Sequence, residues 1–168
     1  MARVVVVALD GSPYSETVLH YVPGLVRPND EVMLIQVAHF PAATRRPRLG
    51  SSRPIVAGNT IAKLEPDPPA YAEDEEHALD RIKSEMTDYL NDQALFLRNE
   101  GLTVHCDVVF DDDAAAAIVR YARAHGPLFI AMVTHGRSGL DHVLHGSVVE
   151  DVIKSGVAPV LAVKPGGA

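Results

Sequence analysis

The stretch Leu128-Phe129-Ile130-Ala131-Met132-Val133-Thr134 runs directly into His135-Gly136-Arg137-Ser138-Gly139-Leu140-Asp141-His142-Val143-Leu144-His145-Gly146-Ser147. Its first half is a continuous apolar run, the pattern of a strand buried on both faces of a parallel sheet. Its second half is punctuated by glycine and ends where a helical pattern starts, near residue 148. In open α/β sheets, ligands bind where such a strand ends. Gly136 and Gly139 let a backbone approach a ligand closely. Gly146-Ser147 opens the next helix, and Ser147 with Glu150 has the spacing of a capping box. The free amides of a helix start, together with a serine hydroxyl, suit an anion such as phosphate. Plain turn glycines and an ordinary cap account for the same residues, so the segment alone leaves both readings open.

Working outward, the same alternation of strand and helix recurs. Residues 3 to 9 are a β-branched run, which predicts a first strand buried on both faces. Asp10-Gly11 is a turn, Ser12 a helix cap and Pro13 a first helical residue. Val18, Leu19, Val22, Leu25 and Val26 form the apolar face of the helix that follows, with Pro23 kinking or ending it. Residues 31 to 38 are the second strand. A long helix covers about 71 to 99, with Ile82, Met86, Tyr89, Leu90, Gln93 and Leu97 on one face and Gly101 as its stop. Residues 103 to 109 are the third strand, 114 to 125 an alanine-rich helix, 128 to 134 the fourth strand, 148 to 155 a helix and 158 to 164 the last strand. This order predicts one α/β domain over 1 to 168, doubly wound, with a parallel sheet covered by helices on both faces.

Between the second strand and the long helix lies a proline-rich stretch, 39 to 70, that carries Arg45, Arg46, Arg48 and Arg53. A loop this long inside a domain reads as a solvated connection or as a functional lid. In the second reading one of these arginines closes over bound phosphates.

Composition narrows the function classes. With 47% apolar and 5% aromatic residues over 168 positions the chain is ordinary globular material with ample core. Its formal net charge of -7 gives little electrostatic help toward DNA or RNA, so nucleic acid is not an expected partner. No apolar run reaches the ~18 to 20 residues of a membrane span. The N-terminal run ends at Asp10-Gly11 rather than at a small-residue cleavage site, so it reads as a strand and not as a signal peptide. The single cysteine, Cys106, excludes an internal disulfide, suits a reducing cytoplasm and reads as a buried thiol.

Several chemistries lack their signatures. There is no G-x-x-x-x-G-K-[ST] and no G-x-G-x-x-G after the first strand, which argues against a P-loop NTPase and a dinucleotide oxidoreductase. His135, His142 and His145 lie in or beside the glycine turn, but without cysteines or an ordered His/Glu signature they read as loop residues rather than zinc ligands. Ser147 has no G-x-S-x-G elbow around it and is explained as a cap, so a hydrolase triad is not expected.

These residues resemble a known family. Gly136, nine residues, then Gly146-Ser147 match the second half of the G-x-x-G-x9-G-[ST] motif of the universal stress protein family. Val7-Ala8-Leu9-Asp10-Gly11-Ser12 resembles that family's first strand and turn, Leu34-Ile35-Gln36-Val37 its second strand, and Ala158 to Val163 its last. The resemblance implies a five-stranded parallel sheet in the order 3-2-1-4-5 with a Rossmann-like architecture. It implies that ATP, accompanied by Mg2+ or Mn2+, is the cofactor. In ATP-binding members the counterpart of Asp10 lies beside the nucleoside and that of Val37 holds adenine through its backbone. Gly136, Gly139, Gly146 and Ser147 would hold the phosphates, and Val148 would add a helix-start amide.

Two positions depart from the family pattern. The first motif glycine is replaced by Val133, which adds volume where ribose and α-phosphate would lie. A second family glycine falls near Asp112, in the run Asp111 to Asp113, whose charge would oppose a triphosphate. The expectation is a cytoplasmic, homodimeric stress-response protein that binds ATP as a sensor or switch. The alternative is a nucleotide-free interaction module in which Val133 and Asp112 disable the site. No catalytic residue is expected, and at most slow ATP hydrolysis with His135 or Asp10 as the water-activating group. In the implied strand order the last strand is an edge, and an apolar edge is a liability unless paired. Self-complementary pairing of Ala158 to Lys164 between two copies removes it, and the resemblance implies the same dimer.

Overall fold

The computed structural model describes residues 2–40, 72–134 and 148–164. The centre of the fold is β1 (Val4–Leu9), in which Val5, Val6 and Val7 are wholly buried. A strand with apolar side chains on both faces needs a cover on each. Val5, Val7 and Leu9 pack into one layer with Val18 and Leu19 and with Leu90, Ala94 and Leu97. Val6 and Ala8 point the other way, into a layer with Ile118, Ala122, Val149 and Val152.

The covering elements follow from their own sequences. Ser12 caps α1 (Pro13–Glu16), accepting from the Ser15 amide at 3.2 Å, and Pro13 takes the first helical position as expected. The helix then tightens into a 3-10 segment, Thr17–Tyr21, and ends before Pro23, which has no amide to continue it. Leu25, expected on the buried face, is therefore half exposed. The long helix α2 (Ala72–Asn99) buries the expected stripe at Leu90 and Leu97, with Ala94 joining it. Helices α3 (Ala114–His125) and α4 (Val148–Ser155) cover the opposite face.

The other strands are β2 (Glu31–Ala38), β3 (Thr103–Phe110), β4 (Ile130–Val133) and β5 (Val160–Val163). All pairings are parallel, in the order β3-β2-β1-β4-β5. The register sets Leu9 beside Gln36 and Val6 beside Ile130. β4 and β5 are shorter than their apolar runs suggest. Leu128 lies ahead of β4, joined to β1 by its amide on the Val4 carbonyl at 2.7 Å but exposed in its side chain. Cys106 sits on the edge strand β3 and is partly, not fully, buried. Its position beside α2 still pushes the thiol above its ordinary pKa, burial being the main cause. No helix among the described residues is long and apolar enough to cross a membrane.

The arginine-bearing stretch from 41 to 70 and the turn carrying Gly136, Gly139, Gly146 and Ser147 lie outside the described residues, as do His135, His142 and His145.

At the foot of the sheet, Asp30 is 3% exposed and accepts hydrogen bonds from the Arg27 amide at 2.8 Å, from the Arg3 amide and from the Arg3 guanidinium. The guanidinium holds the carboxyl well below the usual carboxylate range, with the Arg27 amide second. A depressed folded-state pKa stabilises above the unfolded value near pH ~4 and loses that contribution as pH falls toward the folded one. Asp30→Asn should therefore lower the thermal midpoint by several degrees at neutral pH, with the gap to the wild type closing below about pH 4. A gap that stays constant between neutral and strongly acidic pH in thermal melts would contradict this account.

Candidate functional site

The sheet changes winding direction between β1 and β4. β2 and β3 lie on one side of β1, β4 and β5 on the other. At such a point the connections leave in opposite directions and open a crevice at the carboxyl ends of the strands. A cavity of about 410 Å³ lies there, within the ~300–1,000 Å³ range of small-molecule sites. Its floor is the strand ends Ala8, Leu9, Val37, Met132 and Val133. Ile118 of α3 and Val149 of α4 supply apolar walls, and Asp10, Ser15 and His39 supply polar groups at the rim. A mostly apolar slot with a few convergent polar groups suits a flat heterocycle attached to a hydroxylated or charged part.

Asp10, Val37 and Val148, three of the expected site residues, all line this cavity, although they come from three separated segments. Val148 is the first residue of α4. Amides in the first turn of a helix have no partner within it, so the helix start presents donors at the cavity. The expected phosphate turn, Gly136 to Ser147, joins β4 to α4, both of which reach the cavity wall, but its own placement is outside the described residues.

The Asp10 side is held by a compact set of local bonds. The Asp10 carboxylate accepts from the Ser12 amide at 2.9 Å, forming an Asx turn. The Asp10 amide donates to Ser15 Oγ at 3.3 Å, and Ser15 Oγ donates to the Ser12 carbonyl at 2.8 Å. Gly11 makes this turn possible with φ at 81°. A Cβ on Gly11 would also stand 2.8 Å from Nε2 of Gln36. Gln36 is itself 8% exposed, and its Oε1 has no hydrogen-bond partner among the described residues.

The two departures from the motif look different in three dimensions. Val133 is buried, lines the cavity, and packs with Leu9, Val18 and Ala131 in the layer under α2. Much of its side chain thus serves the core. None of Asp111, Asp112 and Asp113 lines the cavity. Asp111 is paired with Arg120 and accepts from the Asp113 amide at 2.7 Å, and these contacts, the amide first, hold its carboxyl below the usual range. Asp113 caps α3, accepting from the Ala116 amide at 2.9 Å. Asp112 faces His39 across 4.0 Å. Two of the three charges are therefore committed to local structure.

Sequence reading did not single out Ser15, His39, Ile118, Met132 or Val149 as site residues. Ser15 lies three residues from the capping Ser12, and His39 immediately follows a strand's carboxyl end. Those were the available signals; the apolar residues carried none beyond their helical or strand periodicity. Among the described residues no group of three His, Cys, Asp or Glu is placed to hold a metal.

Gly11→Ala tests the turn. A non-glycine residue in the left-handed region costs roughly 1–2 kcal/mol, and the displaced Gln36 amide adds to that. Urea unfolding should show at least this loss. An unchanged midpoint would mean that the turn relaxes to another conformation.

The universal stress protein family model matches residues 53–164. Universal stress protein MJ0531 of Methanocaldococcus jannaschii is 39% identical over 64 residues, which cover 38% of this chain and 37% of that protein. The chain thus spans little more than a third of that curated relative's length. Among solved structures, hypothetical protein MJ0577 superposes with a TM-score of 0.70 at 23% identity, covering 100% of this chain and 99% of that one. A universal stress protein solved in complex with cAMP superposes with a TM-score of 0.58 at 17% identity, covering 98% of each chain. The family match spans most of this chain, the α/β sheet has the same Rossmann-like architecture as its structural relatives, and the chain belongs to the universal stress protein family.

Proposed function

We propose that this protein binds an adenine nucleotide, ATP with Mg2+ or Mn2+ being the first choice, and acts in the cytoplasm as a homodimeric sensor or switch in a stress response. The observation that carries this reading is the convergence of Asp10, Val37 and Val148 on one cavity at the reversal of strand order. The apolar walls fit a purine. Asp10 is the proposed acceptor of ribose hydroxyls, and the Val37 backbone is the proposed partner of adenine. Gly136, Gly139, Gly146 and Ser147 are the proposed phosphate ligands, joined by the Val148 amide. The solved relative that holds cAMP supports an adenine ligand for this architecture.

Binding rather than turnover is the proposed mode of action. The polar groups of the described cavity are engaged in local structure: the Asp10 carboxylate accepts from the Ser12 amide at 2.9 Å, and His39 faces Asp112 across 4.0 Å. Dimerisation is proposed through β5, the outer strand next to β4, whose Leu161 and Ala162 are not fully buried.

Nucleotide extracted from freshly purified protein should be an adenine nucleotide, and calorimetric titration with MgATP should saturate. Asp10→Ala should weaken binding about ten- to hundredfold, since a hydrogen bond to a charged acceptor contributes ~1.5–3 kcal/mol. No copurified nucleotide and no heat would refute the reading. Comparison with Val133→Gly separates the two family alternatives. Binding by the glycine variant alone would establish the nucleotide-free interaction module, whereas equal binding by both excludes it. That substitution removes a buried side chain and should itself cost about 2–4 kcal/mol, so its folding is checked first by urea titration.

Sedimentation equilibrium should give twice the chain mass. A monomeric mass at micromolar concentration would remove the β5 dimer.

A further inference from the structure

The bonds that shape the Asp10 turn do not end at α1. Glu16, the residue after Ser15, accepts a hydrogen bond from the Tyr89 hydroxyl at 3.1 Å across 73 residues of sequence. Tyr89 belongs to α2 and its ring packs against the core layer under that helix. For packing alone a phenylalanine would serve, because the ring does the filling. A half-buried hydroxyl, by contrast, must find a partner or lose its hydration without compensation. This one is directed at Glu16, the last residue of α1. Burial first, and then the Glu16 carboxylate, push its pKa up to about 12, so it stays a donor throughout the physiological range.

The residue before Glu16 belongs to the polar wall of the cavity. Ser15 is 3% exposed, lines the cavity, and holds both the Asp10 amide and the Ser12 carbonyl through one hydroxyl. A shift of α1 relative to β1 would break the bond to the Asp10 amide, while the Ser15–Ser12 bond, internal to the capped helix, would move with it. Tyr89 fixes α1 from the side, through Glu16 and with Ser15 itself within reach of its hydroxyl. We infer that Tyr89 is a positioning residue for the cavity: through Glu16 it ties α2 to the turn bearing Asp10 and Ser15, so that ligand binding and the docking of α2 are energetically coupled. The coupling to a ligand rests on the nucleotide reading above. The positioning of the turn does not.

The coupling is reciprocal by necessity. If α2 helps hold Asp10 in place, a ligand that engages Asp10 stabilises the docked α2.

Two measurements test this with the full-length protein. Hydrogen exchange without ligand reads the turn itself. Tyr89→Phe should speed exchange of the Asp10 amide about fivefold, the factor expected for loss of one supporting hydrogen bond. Glu16→Ala should do the same, while Glu16→Gln, which keeps an acceptor oxygen, should restore slow exchange. Unchanged exchange in Tyr89→Phe overturns the proposal whether or not the protein binds nucleotide. A double-mutant cycle with MgATP then reads the coupling. Tyr89→Phe should weaken binding about two- to tenfold, and that loss should disappear in an Asp10→Asn background. An equal loss in both backgrounds shows that Tyr89 acts through general stability and overturns the coupling. Tyr121→Phe, which removes the hydroxyl that bonds Asp107 of β3 away from the cavity lining, should leave affinity unchanged. If wild-type protein binds neither MgATP nor adenosine, the nucleotide reading fails, and the exchange arm alone decides the role of Tyr89.

Discussion

Everything in this structure depends on covering a strand that has no polar face. Val5, Val6 and Val7 are wholly buried in the middle of the sheet, and their side chains alternate between its two sides. One layer of helices cannot shield them. The chain places α1, its 3-10 extension and α2 on one side, and α3 and α4 on the other. Strands must then be added to both edges of β1, and the order β3-β2-β1-β4-β5 results. The cavity is a by-product of that order, because helices leaving in opposite directions cannot close over the carboxyl ends of β1 and β4.

The charges around the cavity show how local structure can absorb what looks, along the sequence, like an electrostatic obstacle. Three successive aspartates suggest a repulsive rim. In space one pairs with Arg120, one caps α3 and one faces His39. The cap adds its charge where the helix start presents partial positive charge, which stabilises both. Val133 behaves in a comparable way. Its bulk is shared with the packing of Leu9 and Val18 instead of being spent wholly on the cavity.

The sequence carried the fold well where side-chain periodicity is strong. β2, α2 and α3 lie within a residue or so of their expected ends, because each has a clear pattern and a clear stop. It carried less at the sheet's periphery. The apolar run from Leu128 overstates β4, since Phe129 packs inward while Leu128 has no strand to cover it. Leu25 is misread for a related reason: the 3-10 segment ends at Tyr21, before Pro23, so Leu25 lies beyond the helical face that the spacing assigned it to. Of the candidate site, Asp10, Val37 and Val148 were reached through the family resemblance, not through periodicity or spacing. Ser15 and Tyr89 were not reached by either route. Their contribution comes from contacts made across the fold, and a serine inside a helix or a tyrosine on an apolar stripe carries no local mark of it.

Gly11 and Gln36 form a pair with consequences for how this chain can diverge. The register brings Gln36 beside Leu9, and its amide fills the space that any side chain at position 11 would need. A Cβ at position 11 meets only the end of a flexible side chain, which can turn aside, whereas the φ of 81° there strains most residues other than glycine. A related sequence that shortens residue 36 gains room at position 11, yet the backbone there still favours glycine or asparagine. Position 11 is therefore expected to stay glycine or asparagine whatever residue 36 becomes, because the backbone and not the neighbour decides it.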